Sequence, residues 1–173
     1  IAVGLDAWQD LAGVMQGAKD CCTTFGAEII GGDIDRHSEL TIVTTGLGLV
    51  DRSTIVRRTG AQPGDLVCIT GIPGQAQAYL DGYIQYQKSL FEPQPRVKEG
   101  RLLARGGVSA MMDDSDGVAL SLYDLVSVND CGFSLDAARL PFPSGISADQ
   151  ARELALYGGG DYELIFTLPH HRH

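Results

Sequence analysis

Apolar residues recur at helical spacing over residues 7–24, with Trp8, Leu11, Ala12, Met15, Ala18 and Cys22 along one stripe and Gly26 placed to end it. The pattern predicts an amphipathic helix packed on a sheet. The period then shortens: residues 27–30 read as a short strand that delivers Gly31-Gly32-Asp33 to a strand end, and residues 40–50 alternate as a longer strand. A polar connection punctuated by Gly60, Pro63 and Gly64 follows, and residues 66–70 read as a buried strand. Gly71-Ile72-Pro73-Gly74 opens a helix over residues 75–90, which stops before Pro93 and Pro95 because proline forbids its continuation. Beyond it the pattern predicts a helix over 97–105, a strand over 108–112, a helix over 118–128 and a strand over 133–140. A helix follows Ser147 as N-cap and runs to Tyr157, where Gly158-Gly159-Gly160 stops it. Residues 161–168 close as a half-buried strand with Tyr162, Leu164 and Phe166 on one face.

Strands and helices mixed with hairpin-length gaps predict an α+β fold rather than a regular doubly wound sheet. The polar connection sets a domain boundary near Arg58, giving residues 1–57 and 58–173. At 173 residues with 44% hydrophobic content, the chain can bury a sizeable core as one large domain or two small ones.

The formal net charge of -9 argues against a nucleic-acid partner, since tracking phosphates needs clustered Lys and Arg. The acidic balance is compatible with a cation-dependent enzyme, but on charge alone it reads first as an ordinary soluble intracellular protein. Cys21, Cys22, Cys68 and Cys131 show no C-x-x-C spacing and read as small buried hydrophobes in a reducing compartment. No apolar run reaches the roughly 20 residues that span a bilayer, and no basic segment leads into an apolar one, so a cytoplasmic location without membrane contact is expected. His37 and the terminal histidines read as loop residues, and no G-x-S-x-G elbow supports a nucleophilic hydrolase. A start at Ile1 and the lack of an element after the last strand read as the middle of a longer protein.

Two acidic patches carry the chemistry, residues 31–36 and 113–117, each following an apolar run and ending in turn residues. Crowded carboxylates repel, and solvation or a hard cation such as Mg2+ relieves the repulsion. Gly32 before Asp33 lets a phosphate approach the backbone while the carboxylate stays within reach of a cation; a Gly-Gly-Asp turn has the same sequence without any ligand. Asp113 and Asp116 can converge on one ion where a strand passes into a helix, leaving Ser115 for a phosphate oxygen near the helix N-terminus. The alternative is an N-cap made by Asp114 or Ser115 among solvated acids. Arg58 can clamp a phosphate with its planar fork or pair with a surface acid such as Asp65. Gly71-x-x-Gly74 lacks the Lys and Ser/Thr of a P-loop and reads as a strand-to-helix turn.

In order along the chain stand G-G-D-I-D-R at 31–36, R-T-G-A-Q-P-G-D at 58–65, I-T-G-I-P-G at 69–74, D-D-S-D-G at 113–117 and G-G-G-D-Y-E-L at 158–164. Together these segments resemble the thiamine-monophosphate kinase family of the aminoimidazole-ribotide-synthetase-like superfamily. The resemblance implies a two-domain synthetase-like architecture, a partial N-terminal α/β domain followed by an α+β domain. It also implies ATP-dependent, Mg2+-dependent phosphorylation of thiamine phosphate to thiamine diphosphate by direct in-line transfer, in a homodimer. Carried over by motif, Gly32 and Asp33 meet ATP and Mg2+, Arg58 the ATP phosphates, Asp113 and Asp116 Mg2+, and Ser115 ATP; no side chain is assigned as a covalent catalyst.

The chain departs from that family at Gly160, where the family carries a Glu associated with thiamine phosphate, and at Ile34 and Asp35, where it often carries two threonines. The family's N-terminal Asp-rich segment has no counterpart before Ile1, and its C-terminal portion none after His173. These 173 residues alone are therefore expected to lack half the metal cage and to be inactive. Two other readings stand beside this one: another ATP-using member of the superfamily, similar to a hydrogenase-maturation dehydratase, and a noncatalytic α+β module.

Overall fold

Internal contacts divide the chain into two units, residues 1–49 and 50–173. The computed structural model describes residues 2–4, 11–39 and 41–170, with the side chains of 2–4, 36 and 37 outside that set. Trp8, the side chain of His37, Leu40 and the last three residues lie outside the described residues.

In the first unit, β1 (Ala2–Gly4) pairs in parallel with β2 (Asp35–His37), and α1 (Leu11–Phe25) ends at Gly26, whose φ of 71° is the left-handed turn expected of a helix stop. No residue of α1 is fully buried; along its apolar stripe Leu11, Met15, Ala18 and Cys22 are half-buried and Ala12 is exposed. Neither strand expected at 27–30 and 40–50 forms; the described residues there are irregular apart from a single bridge at Thr41. Ile30 and Leu47 are each 82% exposed. Alternation provides a surface that could be buried, but a strand exists only where a neighbour takes its N–H and C=O groups, and among the described residues here that pairing is limited to the Thr41 bridge.

The second unit holds β3 (Leu66–Ile69), α2 (Gln75–Leu80), a 3-10 turn (Ile84–Tyr86), α3 (Gln87–Phe91), α4 (Val97–Gly106), β4 (Ala110–Asp114), α5 (Val118–Val128), α6 (Ala148–Tyr157) and β5 (Glu163–Leu168). The sheet runs β3-β5-β4, antiparallel throughout, with Cys68 opposite Phe166 and Met112 opposite Ile165. The architecture is α+β.

Several elements differ from expectation. The helix over 75–90 is broken into three pieces, because Gly82 takes φ 100° and turns the chain after Leu80. Residues 133–140 form no strand; they run irregularly along the core, anchored by buried Leu140 and half-buried Phe133. Ser147 occupies the N-cap position of α6, yet its side chain makes no capping bond. The buried face of β5 is Glu163, Ile165 and Thr167, not the face of Tyr162 and Leu164, although Phe166 on that second face is buried as well. The cysteines are free but not buried: Cys21 is exposed and the other three are half-buried.

The core lies between that inner sheet face and helices α5 and α6. Met112 and Ile165 from the sheet meet Val118, Leu122 and Leu125 of α5 and Ala155 of α6, with Leu140 closing one side. Each fully buried side chain of this kind contributes about 1.5–3 kcal/mol.

Candidate functional site

The strand β4 begins at Ala110, two residues later than the pattern placed it, and this shift decides the fate of the second acidic patch. Successive strand residues point to opposite faces. Asp113 is therefore exposed, Asp114 is 1% exposed, and Asp116 is exposed again in the turn before α5. Ser115 is half-buried, with its hydroxyl 3.4 Å from Asp116 Oδ2. The N-cap of α5 is Gly117, and no side chain caps it, so neither Asp114 nor Ser115 serves as a cap.

Arg58 reaches the same corner through backbone pairing. The Met111 amide donates to the Arg57 carbonyl at 2.9 Å, so residue 57 runs beside β4 and the next side chain falls over Asp113. Arg58 Nη2 lies 3.5 Å from Asp113 Oδ1, and Nη1 lies 3.9 Å from Asp124 Oδ2 on α5. Asp65 is engaged elsewhere: it accepts bonds from the Gln62 amide and the Ser109 hydroxyl.

Asp33 and Gly32 belong to the first unit. Both are exposed; Asp33 Oδ1 accepts a bond from the Ile34 amide at 2.9 Å, and a Cβ added at Gly32 would meet nothing within 4 Å. Of the six candidate residues, the structure thus brings Arg58 and Asp113 into contact and places Ser115 and Asp116 in the adjoining turn. Among the described residues no group of three or more His, Cys, Asp or Glu side chains converges as a metal cage.

Behind this corner lies a second layer of acids: Asp114, which the sequence offered only as an N-cap, and Asp161 and Glu163, to which it gave no role. Asp114 stands opposite Glu163 across the β4–β5 ladder, both on the buried face. Like charges so placed are destabilising, and each is relieved differently. Glu163 takes a two-pronged bond from Arg96, with Nε to Oε2 at 2.7 Å and Nη2 to Oε1 at 2.5 Å, and a further bond from the Thr70 hydroxyl. Those bonds push the Arg96 guanidinium up from its ordinary value. Asp114 has one partner, the Ser121 hydroxyl at 2.9 Å, and its Oδ2 is buried without any. Burial pushes its carboxyl up to about 6, opposed by the Ser121 bond and reinforced by Asp161, Asp113 and Glu163.

Asp161 accepts the Gly74 and Ala76 amides at 2.6 and 2.8 Å, so it satisfies the start of α2 from another segment; burial raises its carboxyl while those bonds oppose the rise. Glycines let the three motif loops interlock. A Cβ on Gly74 would sit 2.5 Å from the Leu154 carbonyl carbon, and one on Gly159 would sit 2.5 Å from the Ser115 carbonyl oxygen. The Gly160 amide donates to that same oxygen at 2.8 Å. The segments I-T-G-I-P-G, D-D-S-D-G and G-G-G-D-Y-E-L are therefore one packed knot in space. Their order along the chain showed the motifs; the contacts among them had no local signal.

No helix among the described residues is long and apolar enough to cross a membrane. Comparison with known proteins agrees with the architecture. The family described as AIR synthase related protein, N-terminal domain, matches residues 1–50. A Thiamine-monophosphate kinase of Methanospirillum hungatei JF-1 is 48% identical over 168 residues, covering 97% of this chain and 59% of that protein. The crystal structure of Thiamine-monophosphate kinase from Stenotrophomonas maltophilia K279a superposes with a TM-score of 0.79 at 27% identity, covering 98% of this chain and 60% of that one. A structure described as AaThiL complexed with AMPPCP and TMP also has a TM-score of 0.79, over 99% of this chain and 60% of that one, and at 20% identity it speaks to the fold alone. The chain spans about three fifths of the length of these relatives.

Proposed function

We propose, from the premise that this chain belongs to the thiamine-monophosphate kinase family, that the full-length gene product transfers the γ-phosphoryl group of ATP to thiamine phosphate. A terminal phosphate oxygen of thiamine phosphate forms the new bond to the γ-phosphorus, the bond from that phosphorus to the β,γ-bridging oxygen breaks, and thiamine diphosphate and ADP leave. The transfer is direct and in-line, without a phosphoenzyme. The observation that carries this reading is the contact of Arg58 with Asp113, a guanidinium beside an exposed carboxylate at one solvent-open corner, which supports a shared site for phosphate and metal.

Positioning and charge neutralisation supply most of the catalysis in phosphoryl transfer, so the residues need to hold and orient rather than react. In this reading Arg58 clamps ATP phosphate oxygens, Ser115 donates to another, and Gly32 leaves the backbone open to the nucleotide. Asp113 and Asp116 would hold Mg2+ through accessible oxygen donors at the β4–α5 corner, the ligand type that ion prefers, and Asp33 offers a donor of the same type within the first unit. When bound, Mg2+ neutralises charge on the β- and γ-phosphates. The long Arg58–Asp113 ion pair is one that the guanidinium can leave for a phosphate. The same reading places the reaction in the cytoplasm and the full-length protein in a homodimer.

Thermal unfolding of the full-length gene product with Mg2+, with a non-hydrolysable ATP analogue and with both tests this reading, since a ligand bound by the native state raises stability by mass action. The expected result is a joint shift larger than either alone, abolished by Asp113→Asn and Asp116→Asn, together with ATP-dependent formation of thiamine diphosphate. No shift at millimolar ligand would turn the reading to a noncatalytic module.

A further inference from the structure

Asn129 ends α5 in an extended conformation, φ -129° and ψ 150°, which turns its side chain back across the connection that carries Arg58. Its Oδ1 accepts the Gly60 and Ala61 amides at 2.8 and 3.0 Å. Its Nδ2 donates to the Arg58 carbonyl at 2.9 Å and to the Leu125 carbonyl at 2.7 Å. A side-chain amide has two donor hydrogens and two acceptor lone pairs, and all four are used here, three of them on residues 58–61. No other side chain in the described second unit holds that loop so completely. The loop cannot easily move aside: Gly60 has φ 123°, and a Cβ there would overlap the Ser109 carbonyl oxygen.

We infer that Asn129 is a positioning residue for Arg58, fixing the backbone from which the guanidinium reaches the candidate phosphate site. The inference rests on the proposed contact of Arg58 with ATP phosphates. Backbone and head of Arg58 are treated oppositely by the fold. The carbonyl is tied to the end of α5, while the guanidinium is half-exposed and, among the described residues, is held by two long ion pairs, to Asp113 and Asp124. A tethered base with a movable head is what an arginine needs in order to exchange carboxylate for phosphate without searching for it, because less conformational entropy is lost on binding. The same helix begins directly after Asp116 and Gly117, so one rigid element registers the arginine loop against the acidic corner.

The test is calorimetric binding of a non-hydrolysable ATP analogue with Mg2+ to the full-length gene product and to Arg58→Ala, Asn129→Ala, Asn129→Asp and the double variant Arg58→Ala/Asn129→Ala. Arg58→Ala is expected to weaken the analogue by roughly tenfold or more, the loss of a charge-assisted contact. Asn129→Asp keeps acceptors for Gly60 and Ala61 but loses both donors, so it is expected to weaken binding by about half an order of magnitude. In the double variant the loss should equal that of Arg58→Ala alone, since residues acting as one unit are non-additive. Wild-type affinity in a folded Asn129→Asp protein, or losses that add in the double variant, would overturn the inference. If Asn129→Ala fails to fold, Asn129→Asp in the wild-type and Arg58→Ala backgrounds gives the same cycle. Wild-type affinity in Arg58→Ala would instead sink the proposed role of Arg58, and this inference with it.

Discussion

The two acidic patches look alike as sequence and are built differently. Residues 31–35 are exposed, on chain that is irregular until β2 begins at Asp35, and Gly32 touches nothing that would exclude a side chain. Residues 113–117 sit at a strand-to-helix corner packed against the Gly158–Gly160 turn, with Asp114 itself buried and backed by buried Glu163 and half-buried Asp161. The difference teaches that a ligand-type motif tells which atoms are available, and the packing behind it tells whether they are held. The first patch is exposed within its own unit, and the second has close-packed backbone and buried acids behind it.

Breaking that scaffold should give the largest effects. Gly74→Ala forces a Cβ into the Leu154 backbone at φ 87°, and the overlap together with the left-handed strain should cost roughly 3–5 kcal/mol. Urea unfolding should show this loss, or no folded protein at all. Gly32→Ala, the matched change in the first patch, should fall within about 0.5 kcal/mol of wild type. Equal losses at the two sites would erase the contrast.

Arg96→Ala should come next, at about 3 kcal/mol, because it strands the buried Glu163 carboxylate without its cation. The solvent-exposed counterpart is Arg58→Ala. Its ion pairs to Asp113 and Asp124 are long and half-exposed, so the apoprotein should lose under about 1 kcal/mol even if ligand binding collapses. The same melting curves read both.

A pH titration sharpens the contrast further. The Asp114 carboxyl sits at about 6 in the folded chain against an ordinary 3.8, so the native state holds its proton more tightly than the unfolded state does. That stabilisation is complete below about pH 4 and is lost as pH rises through about 6, a change on the order of 2–3 kcal/mol. With chelator present, Asp114→Asn should flatten stability across this window. The smallest effect is expected from Asp33→Asn, an exposed change that should leave the chelated stability profile within about 0.5 kcal/mol of wild type.

Strand and helix periodicity fared unevenly for a related reason. It located α4, α5, α6, β3 and β5 closely, and in α5, α6 and β5 the apolar face is buried in the core. It misplaced residues 27–30 and 40–50, where alternation finds no ladder, and 133–140, where the apolar residues pack on the core without strand pairing. It set β4 two residues early, and that slip concealed the outward and inward assignment of Asp113 and Asp114.

By itself the sequence determined the types of chemistry available: carboxylates before glycine turns, an arginine in a Gly-Pro connection, and five motif segments in family order. These are local properties, carried by residue type and short spacing. Only the tertiary structure decided that Arg58 falls on Asp113, that Asn129 grips its loop from 71 residues away, and that Asp114 is buried with an oxygen unpartnered. Those outcomes depend on strand register, close backbone approach and loss of water around a charge, which arise when distant segments pack and leave no mark in any single stretch of chain.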